Sequence, residues 1–287
     1  PGEQQGVVHR PAVSGGADST ALLCFFCEIR EAYLISVSCA HVEHGIRGAA
    51  SEEDMRFVKA LCEQKNVPFY GGRVDAPGYA RAHGCGLEEA ARALRYDFLE
   101  KTAEAVGANA IALAHHRGDQ AETVLLHAAR GSDIRGLCAM RWRRGKLIRP
   151  LLDAEPEALR AYLRRIGQPW REDETNRVSD TPRNALRNEI LPRIRDFYPG
   201  AADALARFAA ISADEDAFIG EIAETVWRER AREYAGVRIL NNFSALSPAL
   251  KRRLVKRALG EADFDTVERV CAGDGSLQLP GGLTAYR

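Results

Sequence analysis

The segment Ser14-Gly15-Gly16-Ala17-Asp18-Ser19 combines residue types that suit phosphate chemistry. It follows an apolar run ending at Val13 and precedes the apolar stretch Thr20-Ala21-Leu22-Leu23, so it reads as a strand-to-helix turn. Such a turn presents backbone N–H groups and the positive end of a helix dipole, which together form an anion site. Gly15 and Gly16 let the backbone turn sharply and approach a phosphate, while Ser14 and Ser19 add hydroxyl donors. Asp18 makes sense beside phosphates if a magnesium ion lies between them, which makes it the candidate metal ligand. A Gly-rich turn with a helix-capping Ser would account for Ser-Gly-Gly alone. The full hexapeptide, Ala17 included, in its strand-helix context favours a nucleotide cradle. No Gly-Lys-Ser/Thr occurs, since Gly145-Lys146 is followed by Leu147, and ordinary γ-phosphate transfer is disfavoured.

A second constellation lies at Asp119 and Glu122, spaced i, i+3 at the start of an apolar helix that runs to Ala129. Both carboxylates leave one face of its first turn. In an open parallel sheet that end is the ligand crevice, so the pair and the nucleotide turn are expected to converge there. Complementing the helix dipole is the plainer role for such acids. His41, His44, His115 and His116 end strands or open loops, where they could order a nucleotide or simply cap the chain locally. No Cys/His pair near them has zinc-ligand spacing. Cys24 and Cys27 lie among Leu22, Leu23, Phe25 and Phe26 and read as packing. Arg92 and Arg95 share a helical face before Tyr96, and guanidinium groups suit phosphates. Further basic clusters occur at Arg141 to Arg149, at Arg183 and Arg187, and at Lys251 to Arg257, the last including Arg252 and Arg253. Most such clusters are solvated faces.

These side chains need a scaffold. The first two-thirds of the chain alternates short apolar runs with longer helical patterns, the signature of βαβ units around a parallel sheet. Val7–Val13, Leu34–Val42, Val67–Tyr70, Ala110–Ala114 and Leu147–Leu152 are the expected strands. Ser51 with Asp54 resembles a capping box opening a helix to about Lys65, and Leu87–Val106 has the spacing of another. After Pro199-Gly200 the pattern becomes helical from Ala202 to about Tyr234 and again over Pro248–Leu259, with no strong strand between them. The expected domains are therefore 1–199 and 200–287. With 287 residues, the chain has room for about two cores.

Hydrophobic residues at 46% and charged residues at 28% are globular values. The formal net charge is zero, so nucleic-acid binding would have to rest on local basic clusters. No apolar run approaches the ~20 residues needed to span a bilayer. Seven scattered cysteines and no secretory signal point to a reducing cytosol. Pro1 opens the chain without an initiator Met, and residues 281–287 read as a turn entering a strand, so a further C-terminal domain is compatible with the sequence.

The hexapeptide resembles the PP-loop of the ATP pyrophosphatases. Further blocks resemble the successive signatures of the tRNA(Ile)-lysidine synthetase family. These are His41-Val42-Glu43-His44-Gly45-Ile46-Arg47-Gly48, Glu89-Ala90-Ala91-Arg92 with Arg95-Tyr96, and His115-His116 with Asp119-Gln120-Ala121-Glu122-Thr123. Arg149-Pro150-Leu151-Leu152, Glu172-Asp173 with Thr175-Asn176, and Arg183-Asn184-Ala185-Leu186-Arg187 leading to Leu191-Pro192 follow in order. The resemblance is close from about Val13 to Pro192. It implies an α/β fold with a Rossmann-like parallel sheet of the PP-loop type, followed by a smaller helical tRNA-binding domain. It further implies ATP and Mg2+, a tRNA(Ile) with a CAU anticodon, L-lysine, and a cytoplasmic ligase that adenylates the wobble cytidine and attaches lysine. A homodimer is left open, and no membrane is involved.

Carried onto this sequence, the resemblance makes Asp18, Arg92, Asp119 and Glu122 the catalytic set. It makes Ser14 to Ser19, His41, His44 and His116 nucleotide-binding, and Arg183, Arg187, Arg252 and Arg253 RNA-binding. The two carboxylates would serve magnesium or the ammonium groups of lysine. The family usually has an Asp where this chain has Gly118, which puts any metal ligation by adjacent acids in doubt. Rival readings are a PP-loop tRNA sulfur transferase, which would need reactive cysteines, and an ATP- and RNA-binding protein without catalysis.

Overall fold

The computed structural model describes residues 8–46, 48–172, 181–234, 237–260, 262–273, 276–278 and 284–286. Arg47, Asp173, Thr175, Asn176 and the Gly281-Gly282 turn lie outside them. By internal contacts the chain forms two compact units, residues 1–209 and 210–287.

The first unit is a parallel α/β layer structure. In chain order it contains β1 (Val8–Pro11), α1 (Ala17–Ile29), β2 (Ser36–Val37), β3 (Cys39–Glu43), α2 (Ala49–Gln64), β4 (Phe69–Arg73), α3 (Ala76–His83), α4 (Leu87–Ala105) and β5 (Ala110–Ala112). There follow α5 (Arg117–Ala129), α6 (Ile134–Leu137), β6 (Arg143–Arg144), β7 (Leu147–Ile148), α7 (Pro156–Arg165), α8 (Pro182–Ala185), a π-helical turn (Leu186–Ile190) and α9 (Leu191–Phe197). A five-stranded sheet has the order β2-β1-β5-β7-β6, with only β6 antiparallel. β3 and β4 form a parallel pair joined to it by a bridge between Ala12 and Ala40. The expected strand over residues 34–42 is thus split around Ser38, and that over 147–152 is cut to two residues, because Pro150 cannot donate to a ladder.

α1 is buried on nearly all sides, with Leu22 and Leu23 fully enclosed and Phe26 and Cys24 nearly so, which is why its sequence is apolar with little periodicity. It packs into one core with Val58, Leu61 and Cys62 of α2 and Leu159 and Leu163 of α7. Leu99 and Ala103 of α4 cover the sheet against Ile111 and Leu147 in a second cluster. α2 starts at Ala49, with Gly48 at its N-cap and no side-chain cap, so Ser51 sits inside the first turn rather than opening it.

α10 (Ala201–Arg230) begins in the first unit, where Ala202 and Leu205 join Ala121, Leu125 and Leu191. That packing explains why the first unit extends beyond Pro199. In the second unit the expected helix to Tyr234 ends at Arg230, and the next residues form a hairpin, β8 (Ala231–Tyr234) with β9 (Val237–Leu240). Arg232, Glu233, Ile239 and their neighbours alternate too briefly for that hairpin to stand out in sequence. α11 (Pro248–Leu259) and α12 (Phe264–Ala272) follow, then β10 (Ser276–Gln278) paired with β11 (Thr284–Tyr286). Among the described residues no helix is long and apolar enough to cross a membrane.

Candidate functional site

A cavity of about 570 Å³ opens at the carboxyl ends of β1, β3 and β5, within the first unit. The nucleotide turn forms one wall. Gly15 has φ +99°, a left-handed conformation natural only to glycine, and its carbonyl accepts from Thr20 Oγ1 at 3.2 Å and from the Arg171 N–H at 3.0 Å. Gly16 is the N-cap of α1 and supplies no side-chain cap, so the first-turn amides are left to a ligand. Ser14 and Ser19 are partly committed. Ser19 Oγ donates to Gly16 O at 3.1 Å and accepts from Ser14 N at 3.1 Å, and the two hydroxyls lie 3.1 Å apart. Arg171 straps this turn to α2 through Asp54 at 3.0 Å and Glu53 at 2.9 Å.

Asp18 enters the cavity from the first turn of α1. Its Oδ2 lies 3.6 Å from His116 Nε2, and its Oδ1 is buried with no hydrogen-bond partner. Burial pushes its carboxyl above the usual range, with His116, Arg160 and Arg187 pulling down and Asp119 adding to the rise. An orphaned acceptor of raised pKa beside an anion cradle fits a hard divalent cation, which would supply what the protein does not. Among the described residues no group of three or more acidic, His or Cys side chains forms a ready-made metal cage. Magnesium here would therefore rely on Asp18 and ligand oxygens.

The opposite wall is α5. His116 is its N-cap: Nδ1 accepts from Asp119 N at 3.3 Å, and Asp119 Oδ2 accepts from His116 N at 3.0 Å. Accepting at Nδ1 puts the ring proton on Nε2, the atom facing Asp18 and Asp119. Gly118 leaves room for this ring, because a Cβ there would come within 2.9 Å of His116 Cε1. Asp119 thus does act as a cap, but with its other oxygen it also meets a charge cluster. Arg187 Nη2 lies 2.9 Å and Arg183 Nη2 3.3 Å from Asp119 Oδ1. Arg187 Nε is 2.6 Å from Glu122 Oε1 and Arg183 Nε is 2.9 Å from Oε2. Burial works against the Asp119 charge, yet His116, Arg183, His115 and the His116 N–H outweigh it and hold its carboxyl below the usual range. Glu122 is only 3% exposed. Contact of Ala121 with Leu191 brings the π-helical turn, and Arg187 with it, onto these acids.

Several expected residues are placed differently. Arg183 and Arg187, expected on RNA, are turned to the two carboxylates. Arg252 and Arg253, in the second unit, are ion-paired with Glu268 at 2.5 Å and Asp216 at 2.5 Å. Arg257 of the same helix pairs with Glu224. His41 does not line the cavity; it is buried, and its Nδ1 lies 2.8 Å from Val13 O, which ties β3 to β1. Arg92 stacks its guanidinium 5.2 Å over the Tyr96 ring, one helical turn on, while Arg95 lines the cavity instead. His44 and His116 do line it.

Sequence reasoning passed over Arg160, Trp170 and Arg171 as wall residues, whereas His115, named with the other strand-end histidines, lines the cavity as well. Burial, reinforced by Arg149, Arg183 and Arg95, pulls the His115 imidazole down to about 4, so it is neutral at pH 7. Cys24 is buried and Cys27 partly so, and burial raises both thiols, Cys27 to about 11.

A parallel sheet whose first βα turn offers its helix N-terminus to an anion, beside an acid of the same helix, has the build of a nucleotide-using α/β domain. The chain belongs to the PP-loop domain family, matched over residues 5–194, whose members use ATP. It is similar to the tRNA(Ile)-lysidine synthase of Geobacter sulfurreducens, 37% identical over 96% of this chain and 62% of that protein. It is likewise 38% identical to the tRNA(Ile)-lysidine synthase of Thermus thermophilus, over 96% of this chain and 54% of that one. The chain thus spans between 54% and 62% of the length of these relatives. Among solved structures, a U34-tRNA thiolase from Methanococcus maripaludis superposes with TM-score 0.58 over 72% of each chain at 14% identity, a likeness of fold.

Proposed function

We propose that the protein is a tRNA(Ile)-lysidine synthase, adenylating C2 of the wobble cytidine in a CAU-anticodon tRNA(Ile) and joining lysine there. The observation that carries this is one cavity lined both by the nucleotide turn and by Glu122 and Arg187, whose ion pairs tie in Asp119 and Arg183 behind them. In the first step the cytidine C2 oxygen attacks the α-phosphorus of ATP and pyrophosphate leaves. In the second the lysine ε-amine, having lost a proton, attacks C2, and AMP departs with the former carbonyl oxygen.

The chain's own groups fit these steps. The α1 first-turn amides and Ser14 receive phosphate oxygens. Magnesium, held by Asp18, would neutralise charge on the departing pyrophosphate. The carboxylate–arginine cluster suits a zwitterion: Arg183 and Arg187 can release one acid oxygen each to take an α-carboxylate, while Asp119 and Glu122 take ammonium groups. His115, held neutral with its pKa at about 4, can accept a hydrogen bond from the amine but is too weak a base to keep its proton, which passes to solvent. The sulfur-transfer alternative is weakened because, among the described residues, no cysteine lines the cavity.

Incubating the protein with ATP, Mg2+, lysine and unmodified tRNA(Ile) tests the reading. Mass spectrometry of the digested RNA is expected to show one cytidine carrying lysine. Pyrophosphate release without lysine transfer would overturn the ligase assignment.

A further inference from the structure

The three basic clusters of the sequence have separate fates. Arg183 and Arg187 are bound to Asp119 and Glu122, and the α11 arginines to Asp216, Glu224 and Glu268. The third, around β6 and β7, is different. Residues 141–146 are all exposed, and among the described residues no acidic side chain pairs with Arg143, Arg144 or Lys146. Trp142 is 51% exposed beside them. β6 pairs antiparallel with β7 at the edge of the five-stranded sheet, closed by Gly145-Lys146 with Gly145 at φ +60°.

This hairpin is tied to a buried side chain. Buried Arg149 donates its N–H to Trp142 O at 2.9 Å and Nη1 to Arg141 O at 2.8 Å, and it also meets the Tyr96 side chain. Arg149 feels both Arg144 and Arg92, and Arg95 feels Arg92 around the same Tyr96. Basic side chains thus group around Tyr96 between the hairpin and the cavity: Arg92 stacks on its ring, Arg149 carries the hairpin, and Arg95 lines the cavity wall. A charged edge strand can serve simply to block edge-to-edge pairing. That role needs charge alone and gives no reason for an exposed Trp among cations or for basic side chains between the hairpin and the cavity.

We propose that the β6–β7 hairpin, Trp142 to Lys146, receives the RNA strand entering the cavity: Arg143, Arg144 and Lys146 bind phosphates and Trp142 stacks on an unpaired base. Cations with an aromatic platform are the combination that single-stranded RNA recognises. The inference rests on the reading of the cavity as an RNA-modifying site.

The test compares the wild-type chain, a triple variant (Arg143→Gln, Arg144→Gln, Lys146→Gln) and Trp142→Ala. Binding of a labelled RNA hairpin with a CAU loop is followed between about 50 and 200 mM salt, a range over which phosphate contacts are strongly screened. Three contacts at roughly 0.7 each predict a log–log salt slope shallower by about 2 in the triple variant, with at least tenfold weaker binding at low salt. Trp142→Ala is expected to lose about tenfold at unchanged slope. Melting and ATP affinity, measured on the same samples, stay at wild-type values. Wild-type slope and affinity in the triple variant would overturn the proposal and leave the edge-guarding role. Equal loss of binding to a polyglutamate peptide that the wild type holds as tightly as RNA would also overturn it, in favour of an acidic protein partner. If the wild type binds ATP but no RNA, the reading of the cavity fails, a result distinct from both.

Discussion

Asp18→Asn separates what the nucleotide turn does for folding from what it does for chemistry. Asp18 keeps one oxygen buried and unpartnered, and its carboxyl is raised above 3.8 chiefly by burial. A group with a raised folded pKa favours folding when protonated and disfavours it as pH climbs through that value. At pH 7 the ionised Asp18 is therefore a cost to the fold. Holding the charge on a largely enclosed carboxylate costs on the order of 1 kcal/mol, a small value because the side chain is 32% exposed, and the amide removes that charge while keeping an acceptor oxygen. The neutral isostere is expected to stabilise the protein by about 1 kcal/mol, or ~2 °C in Tm for a chain of this size. The difference between the two proteins shrinks as pH falls through the folded pKa of Asp18 and vanishes below 3.8. Function moves the other way. With Mg2+ and ATP at a hundredfold excess over Kd, wild type gains about 2.7 kcal/mol, whereas the variant, lacking the metal-binding carboxylate, loses most of that gain. Pyrophosphate release falls about a hundredfold or more. Scanning calorimetry from pH 4 to 8, with and without Mg2+ and ATP, reads all of this. A variant less stable than wild type at pH 7, or one keeping the full ligand-induced shift, refutes the reasoning.

Asp119→Asn keeps one acceptor oxygen but removes the charge from two ion pairs, and it should cost about 2 kcal/mol at pH 7. Because the Asp119 carboxyl is held below 3.8, that contribution is present above the ordinary range and is lost as pH falls through the folded value, so the two proteins converge in acid. In single-turnover assays it should still release pyrophosphate once yet stall in lysine transfer; wild-type rates in both steps would reduce it to a helix cap. Arg171→Ala loosens the strap on the Gly15 carbonyl, and two half-exposed ion pairs at about 0.5 kcal/mol each predict a KM for ATP up about fivefold with kcat nearly unchanged, checked by steady-state kinetics. Arg253→Ala removes the guanidinium paired with the buried Asp216 carboxylate and should destabilise the second unit by about 1–2 kcal/mol with no change in RNA affinity, measured by urea unfolding and RNA titration. Loss of RNA affinity without loss of stability would return Arg253 to the RNA surface.

The nucleotide turn, the alternation that gives a parallel sheet, and the common face of Asp119 and Glu122 were legible in the sequence. Each is set by neighbours within a few positions: a strand feeding a Gly-rich turn, a period of two or 3.6, two acids one helical turn apart. What the side chains finally touch was not legible. Arg183 and Arg187 lie 61 to 68 positions from the acids they bind, and only the packing of α9 on α5 brings them together. Arg252, Arg253 and Arg257 read as one open cationic cluster until α11 meets Asp216, Glu224 and Glu268. His41 reads as a nucleotide contact until β3 lies against β1 and Val13 O takes its ring. A charge in a sequence carries no record of its partner, because Coulomb attraction acts between whatever groups the tertiary fold brings within a few ångströms. The sequence determined where the chemistry is built, and the tertiary structure decided which charges remain free to take part in it.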